Sequence, residues 1–228
     1  RHNSASMRDI IVIGAGPAGS SLAHALARRG WDVLLVERDT FPRHKVCGEF
    51  LSPESQASLS ALGLLDTVAG LAPTTMRAAT LTAASGRSLR VALPGDAWGV
   101  SRFALDAALA RAAETAGATL RTATYALEME VSEVGARVRL RAGGEVRVEH
   151  ARAAVVACGR HPARGLRARP PRAAHKTGVG VKCHIAGIAA RPEVELYLFE
   201  GGYAGLAPGG GGLVNLCLLV SRQALRRA

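Results

Sequence analysis

Three glycines near the start of the chain have the spacing that holds a phosphate group in many nucleotide-binding proteins. The segment reads Gly14-Ala15-Gly16-Pro17-Ala18-Gly19, which is the pattern G-x-G-x-x-G. In such a pattern the first glycine permits a tight turn, the second lets the backbone approach a pyrophosphate, and the third lets a helix pack closely against a strand. The N-terminus of that helix adds free N–H groups and a positive dipole end. The chemistry that these residues indicate is the binding of a nucleotide diphosphate.

The flanking residues predict the elements that such a turn needs. Residues 9–13 are mostly β-branched and apolar, as in a buried parallel strand. After the glycines, an apolar helical face runs to Ala27, and Arg28, Arg29 and Gly30 close the helix. A second strand is predicted over residues 32–36. Together these elements form a βαβ unit with the glycine pattern at its first turn.

An acidic residue ends the second predicted strand. Glu37 lies 23 positions after Gly14 (37 − 14), where an acid accepts hydrogen bonds from ribose hydroxyls. A carboxylate there repels a 2′-phosphate, so the residues favour FAD or NAD over NADP. The alternative, a glycine-rich turn in an ordinary α/β protein, is disfavoured because strand, glycines, helix, second strand and acid are all in register.

The residues after Glu37 carry a family resemblance. They read Arg38-Asp39-Thr40-Phe41-Pro42-Arg43-His44-Lys45-Val46-Cys47-Gly48-Glu49. This segment resembles the P-R-x-K-x-C-G segment of FAD-dependent oxidoreductases with the para-hydroxybenzoate hydroxylase fold, in their geranylgeranyl reductase-like branch. Flavin-dependent halogenases and aromatic monooxygenases are related to that branch. The helix predicted to begin near Arg102 is similar to the family's R-x-x-L-D-x-x-L helix, with Leu105 and Asp106 at the matching positions.

The resemblance implies an α/β fold with two interleaved parts. An FAD/NAD(P)-binding Rossmann-like domain would comprise residues 7–71 and 101–160. A partial substrate-binding domain, an antiparallel β-sheet, would comprise residues 75–100 and 175–228. Within the first domain, the strand patterns around Gly143-Gly144 also predict a hairpin.

FAD is the cofactor that the resemblance implies. Gly14, Gly16 and Gly19 would hold its pyrophosphate and Glu37 its ribose, with Arg38 and Tyr125 near the adenine. Arg43, Lys45, Cys47 and Gly48 would line the path to the flavin ring, and Arg102 would contact the phosphate or ribityl region. The full set of implied cofactor-binding residues is Gly14, Ala15, Gly16, Pro17, Ala18, Gly19, Glu37, Arg38, Arg43, Lys45, Cys47, Gly48, Arg102 and Tyr125.

Several of these residues also have ordinary structural interpretations. Arg43 and Lys45 are cations suited to a diphosphate, but each could equally be a solvated loop charge. Gly48 could allow close approach to a planar ring. Cys47 is either a reactive thiol or a small residue packed beside the flavin. No side chain stands out as a catalytic acid or base; His44 is the nearest candidate, and a surface histidine is the alternative.

The chain departs from the family pattern in three places. Cys158-Gly159 replaces the Asp-Gly of many relatives, and the stretch from Tyr203 to Pro208 lacks both bulky aromatics of the Y-x-W-x-F-P motif of lipid reductases. The chain also stops at Ala228, before the family's later G-D-A segment. The sequence therefore predicts a C-terminally truncated member with an altered substrate pocket.

The resemblance implies a reaction in which NADH or NADPH passes hydride through the flavin. The expected outcome is reduction of a C=C bond in a small apolar or polyketide/isoprenoid-like substrate. A flavin-dependent monooxygenase that hydroxylates through a C4a-hydroperoxide is the alternative, and an inactive FAD-binding fragment is another.

Composition restricts the remaining classes. The net charge of +11 comes from 29 basic and 18 acidic residues, which raises the alternative of nucleic-acid binding. Only three of the basic residues are lysines, and the one dense arginine run contains no aromatic residue for base stacking (Arg160, Arg164, Arg167, Arg169 and Arg172). The sequence therefore predicts a small-molecule substrate and no nucleic acid.

The four cysteines form no C-x-x-C pair, so neither a metal site nor a disulfide framework is predicted. Residues 1–6 are polar, precede Met7 and are excluded from the fold prediction. No apolar run reaches the roughly 20 residues of a membrane span. We therefore expect a cytoplasmic protein; peripheral membrane contact and the oligomeric state stay open.

Overall fold

The structure is a computed structural model that describes residues 7–159, 166 and 178–226. Its contacts divide the described residues into two units. Unit 1 contains those within Arg1–Arg43, Leu62–Thr67 and Asp106–Pro170. Unit 2 contains those within His44–Ala61, Val68–Leu105 and Pro171–Ala228.

Strands dominate both units. In chain order the strands are β1 (Arg8–Ile13), β2 (Val33–Val36), β3 (Phe50–Leu51), β4 (Thr74–Thr82), β5 (Ser88–Gly99), β6 (Thr119–Arg121), β7 (Thr124–Ser132), β8 (Gly135–Ala142), β9 (Glu145–Val156), β10 (Gly178–Ile185), β11 (Glu193–Phe199), β12 (Gly202–Pro208) and β13 (Val214–Ser221). The helices are α1 (Pro17–Ala27), α2 (Pro53–Ala61), α3 (Leu65–Ala69), α4 (Arg102–Thr115) and α5 (Arg222–Leu225).

Unit 1 is built on a six-stranded sheet in the order β6-β2-β1-β9-β8-β7. The first four strands are parallel, and β9, β8 and β7 form an antiparallel meander. The predicted βαβ unit is β1, α1 and β2, in adjacent parallel register. This α/β fold, with the nucleotide-binding βαβ unit at its start, agrees with the predicted fold class.

Residues 10–13 of β1 and all of β2 are buried on both faces, which explains their uninterrupted apolar sequence. Ile10, Val12, Val33 and Leu35 pack in one core with alanines of α1 and α4, while their sequence neighbours pack in a second core with β7, β8 and β9. Because side chains alternate along a strand, a single apolar run fills both cores. The small alanines of α1 let that helix lie close to the sheet.

The second strand of the predicted hairpin continues into the parallel part of the sheet. It is β9, which begins at Glu145 and is 12 residues long. Its residues 145–151 pair with β8 and its residues 151–156 pair with β1, so the two pairings meet at Ala151. The hairpin turn lies at Gly143-Gly144, as predicted, and both glycines have the positive φ that such a turn needs.

Unit 2 is built on a seven-stranded sheet in the order β10-β13-β12-β11-β4-β5-β3. Its pairings are antiparallel, as predicted, except that β11 runs parallel to β4. Residues 74–99 form one long hairpin of β4 and β5. A small core of Met76, Ala97 and Ala207 lies within the unit.

The dense arginine run and Lys176 lie outside the described residues. Among the residues that the structure describes, no helix is long and apolar enough to cross a membrane.

Candidate nucleotide site and a second polar cluster

The glycine turn follows β1 directly. Gly14 has a φ of +106°, and its N–H donates to the Val36 carbonyl at 2.7 Å, which ties the turn to the end of β2. A Cβ on Gly14 would lie 2.7 Å from the Ala157 carbonyl oxygen, and one on Gly19 would lie 1.8 Å from the Gly14 carbonyl oxygen. Both positions therefore require glycine, one for its φ and both for space.

Helix α1 begins in the form that suits an anion. Pro17 occupies the first turn, and Gly16 is the N-cap with extended backbone and no side-chain hydrogen bond to the helix. The Ser20 N–H starts the helical ladder by donating to the Gly16 carbonyl at 2.9 Å. Since no side chain caps this end, the N–H groups of the first turn are available to an external acceptor.

Glu37 connects the ribose position to the glycine turn. Its carboxylate is only 6% exposed, and it accepts the Ala15 N–H at 2.9 Å and the Asp39 N–H at 3.1 Å. Arg43 donates to the same carboxylate at 3.1 Å. A carboxylate offers about four acceptor positions. These three donors therefore leave capacity for a further hydroxyl donor.

Arg43 is buried among carboxylates in unit 1. Its guanidinium, 8% exposed, lies 3.1 Å from Glu37 Oε2 and 3.0 Å from Oδ2 of the fully buried Asp106. The same group contacts the Ala15 carbonyl at 3.4 Å and lies over the Phe41 ring. Its evident task is to balance two buried negative charges and so to fix the geometry of Glu37. That it also lines a path to the flavin ring stays a prediction.

The other candidate residues of unit 1 lie at the surface. The Arg38 side chain is half exposed and lies 3.6 Å from Asp39. Tyr125 is exposed near the start of β7, with the Arg141 guanidinium over its ring.

Cys158, which replaces the usual aspartate, follows β9 and donates through Sγ to the Ile13 carbonyl at 3.4 Å. Burial raises the pKa of its thiol, and the nearby Glu37 carboxylate raises it further.

Unit 2 contains a buried polar cluster that the sequence analysis did not identify. Its centre is Glu49, 2% exposed, whose Oε1 accepts the Arg102 N–H at 2.7 Å and the Lys182 Nζ, while its Oε2 lies 2.7 Å from His184 Nε2. Glu49 has a φ of +57°, which is strained for a residue with a side chain. We call Glu49, Lys182 and His184 the buried triad.

An open pocket of about 470 Å³ lies beside the buried triad, within unit 2. It is lined by His44, Lys45, Val46, Lys182, Cys183 and His184. The His44 ring lies 5.7 Å from the His184 ring and 4.8 Å from the Phe103 ring, centroid to centroid. Lys45 thus lies in a pocket, as a binding residue should, while its contact with a cofactor stays a prediction.

The other candidates of unit 2 lie near the same segment. Gly48 is exposed, and a Cβ there would meet open space. Cys47 is half-buried and anchored through its carbonyl, which accepts from Asn215 Nδ2 at 3.1 Å. Arg102 contributes its backbone N–H to Glu49. All four cysteines are free thiols, and no group of three or more metal-binding side chains occurs in the described part of the chain.

The sequence offered one signal for the buried triad. Lys182 and His184 are two residues apart on β10, so they share a face of the strand. Glu49 comes from a segment more than a hundred residues earlier. Only the folded chain shows that the three residues meet.

Residues 7–181 match the FAD binding domain family. The chain belongs to this family. Its glycine turn, its uncapped helix and the acceptor position left on Glu37 fit the phosphates and ribose of that dinucleotide.

Two kinds of curated relative match a short part of the chain. Menaquinone reductase of Mycobacterium tuberculosis is 54% identical over 56 residues, which are 25% of this chain and 14% of the relative. Squalene epoxidase 5 of Arabidopsis thaliana is 44% identical over 63 residues, 28% of this chain and 12% of the relative. These matches therefore cover about one seventh or less of each relative's length.

Solved structures share the fold over nearly the whole chain. The myxobacterial chondrochloren halogenase CndH has a TM-score of 0.79 and 26% identity, over 97% of this chain and 54% of that chain. A geranylgeranyl bacteriochlorophyll reductase-like protein from Thermoplasma acidophilum has a TM-score of 0.80 and 20% identity, over 96% of this chain and 57% of that chain. The chain thus spans just over half the length of either protein.

Proposed function

We propose that this protein is an FAD-dependent oxidoreductase in which unit 1 holds the ADP half of FAD. The observation that carries the proposal is the hydrogen bond from the Ala15 N–H to Glu37 Oε2 at 2.9 Å. It joins the phosphate-binding turn and the ribose-binding acid into one rigid arrangement. Buried Arg43 holds the same carboxylate, so the site is organised before a ligand arrives.

Each part of this site has a defined task. The first-turn N–H groups of α1, together with the backbone around Gly16, bind the pyrophosphate. Glu37 accepts a ribose hydroxyl, and Arg38 and Tyr125 lie near the adenine. In unit 2, Lys45, Cys47, Gly48 and Arg102 contact the part of the cofactor nearer the flavin ring. This second set rests on the family resemblance.

Bound FAD would supply hydride transfer chemistry that no side chain offers. We propose NADH or NADPH as the electron donor and a C=C bond of a small apolar or isoprenoid-like molecule as the acceptor. The match to menaquinone reductase and the fold shared with the geranylgeranyl reductase-like protein support this reading. Menaquinone carries an isoprenoid side chain, and a geranylgeranyl group is itself an isoprenoid chain.

A monooxygenase is the second candidate. It is favoured by the match to squalene epoxidase 5, which at 63 residues is longer than the 56-residue match to the reductase, at 44% against 54% identity. The residues of the nucleotide site serve both reactions equally, because both begin with bound FAD.

Flavin binding is the first test. The purified protein is mixed with FAD, passed through a desalting column and scored by flavin absorbance, and the affinity is measured by quenching of flavin fluorescence. We expect Glu37→Gln to weaken binding roughly 10-fold or more, since a hydrogen bond to a charged group contributes about 1.5–3 kcal/mol. Glu130→Gln is the matched control, because Glu130 is exposed on β7. Wild-type protein that retains no flavin would refute the proposal.

The reaction is tested separately. The flavin-loaded protein is given NADH or NADPH with menaquinone or squalene, once without oxygen and once with isotope-labelled oxygen. A product that gains two hydrogens without oxygen identifies a reductase, and a product that contains the label identifies a monooxygenase. Nicotinamide that stays unoxidised while flavin is bound identifies an inactive FAD-binding protein.

A further inference from the structure

The buried triad lies beside a pocket in unit 2, and the proposed FAD site does not include the triad. Glu49 is a carboxylate nearly sealed from water, in a strained backbone conformation, with three donors aimed at it. Strain of this kind costs about 1–3 kcal/mol and persists where surrounding contacts fix it, often at functional sites. Two of the three donors, Lys182 and His184, line the pocket.

The pairing of Glu49 with His184 determines which ring nitrogen carries a proton. A carboxylate only accepts hydrogen bonds, so the 2.7 Å contact requires a proton on His184 Nε2. In the neutral ring, Nδ1 then has a free lone pair. A carboxylate that holds one imidazole nitrogen also stabilises the imidazolium that forms when the other accepts a proton. Glu49 therefore holds the ring in one tautomer and leaves Nδ1 as the nitrogen that is able to accept a proton.

The groups around His184 suit an oxygen that becomes negative. Lys182 lies on the same strand face, Lys45 and the His44 ring line the same pocket, and Cys183 and Asn215 are its neighbours on β10 and β13. None of the six lining side chains is acidic, and the Glu49 carboxylate behind them is paired with the Lys182 ammonium. Val46 adds apolar surface for a carbon skeleton, and the Phe103 ring packs against His44.

The geometry points to His184 as an acid–base residue that takes the proton of an acidic hydroxyl, such as that of an enol, bound in the unit 2 pocket. The O–H bond breaks, its proton joins His184 Nδ1, and the electron pair stays on oxygen as an enolate beside the lysines. A carboxylic acid is already ionised at neutral pH and needs no base. An ordinary alcohol is a far weaker acid than an imidazolium ion, so its alkoxide would not accumulate beside His184. The pocket combines a base with cations, which favours a hydroxyl whose acidity lies between that of a carboxylic acid and that of an ordinary alcohol.

This inference deepens the proposed function by naming the chemistry of its substrate, and only the assignment of the pocket to a substrate rests on that proposal. Proton transfer is therefore tested without FAD. The probe is para-nitrophenol, an acidic hydroxyl compound that turns yellow when ionised. It is titrated with the protein in a buffer below the probe's own pKa, and the phenolate band is recorded.

We expect wild-type protein to produce a saturable phenolate band. The variant His184→Gln keeps an N–H donor for Glu49 but cannot accept a proton, so the band should fall at least 10-fold. His150→Gln is the matched control, because His150 is exposed on β9 in unit 1 and should leave the band unchanged. Circular dichroism of each variant shows that it is folded.

Two results would overturn the inference. One is a wild-type protein that gives no phenolate band. The other is a His184→Gln variant that keeps the full band, because the lysines alone would then attract the phenolate. If His184→Gln does not fold, Lys45→Gln serves as the second variant. A phenolate band from Lys45→Gln as strong as that of the wild type would also count against the pocket. Flavin retention is measured on the same samples, so a failed proton transfer with normal FAD binding refutes this inference alone.

Discussion

Replacing Glu49 by alanine should destabilise unit 2 severely. The substitution removes the acceptor of three hydrogen bonds and leaves the Lys182 ammonium, only 6% exposed, without its carboxylate. Breaking a buried ion pair by removing one partner typically costs about 3–5 kcal/mol. Because small domains have a total stability of about 5–15 kcal/mol, the variant should retain only part of its stability.

Glycine at the same position separates the two contributions. Glu49→Gly loses the same carboxylate but relieves the backbone strain of a φ of +57°. A left-handed conformation costs a residue with a Cβ roughly 1–2 kcal/mol. We therefore expect Glu49→Gly to be about 1 kcal/mol more stable than Glu49→Ala, which reverses the usual order of alanine and glycine.

The assay is urea unfolding followed by tryptophan fluorescence. The chain has two tryptophans, Trp31 in unit 1 and Trp98 on β5 in unit 2. A Trp31→Phe background lets Trp98 report on unit 2 alone. A loss of less than about 1 kcal/mol in the free energy of unfolding for Glu49→Ala would refute the reasoning. It would mean that water hydrates Lys182 and His184 once the carboxylate is gone. An alanine variant as stable as the glycine variant would refute the strain argument.

Three further predictions follow from other contacts. Gly19→Ala should abolish flavin retention, because the new Cβ would lie 1.8 Å from the Gly14 carbonyl oxygen. Gly117→Ala is the control: it has open space around its Cβ, so it should keep flavin and lose only about 1 kcal/mol of stability from its positive φ. Equal flavin retention by the two variants would contradict this prediction. Cys158 should be alkylated more slowly than the exposed Cys183 at neutral pH, since burial raises the pKa of the Cys158 thiol and only the thiolate reacts. Peptide mass spectrometry measures both alkylation rates. Faster alkylation of Cys158 would be inconsistent with its buried environment. Hydrogen bonding from Arg90 lowers the pKa of Glu193, so its contribution to stability is full above the pKa of an unfolded glutamate and is lost as the pH falls through the lowered value. Thermal melts should therefore show a shallower loss of stability over that pH interval in Glu193→Gln than in wild type, and identical profiles would exclude the contribution.

Local sequence patterns were sufficient for the nucleotide-binding unit. A buried parallel strand, a glycine turn and an amphipathic helix are all specified by neighbours along the chain, and β1, α1 and β2 lie where those patterns predict them. The hairpin at Gly143-Gly144 follows for the same reason, since a two-glycine turn fixes its own strands.

Long-range pairings were not accessible in this way. The pairing of the hairpin strand β9 with β1, and the parallel pairing of β11 with β4, depend on which distant strands become neighbours. The environment of Arg43 is a similar case, because nothing near it in sequence indicates that it would be enclosed by Glu37 and Asp106 rather than lie in a solvated loop.

The sequence by itself determined that this chain begins with the βαβ unit of a dinucleotide-binding α/β fold, because the glycines, helix and acid of that unit follow one another closely along the chain. Only the tertiary structure decided that Glu49, Lys182 and His184 form a buried triad beside a pocket. Glu49 precedes β3, and its partners lie on β10. Their meeting depends on sheet register and burial, which a strand's own residues do not encode.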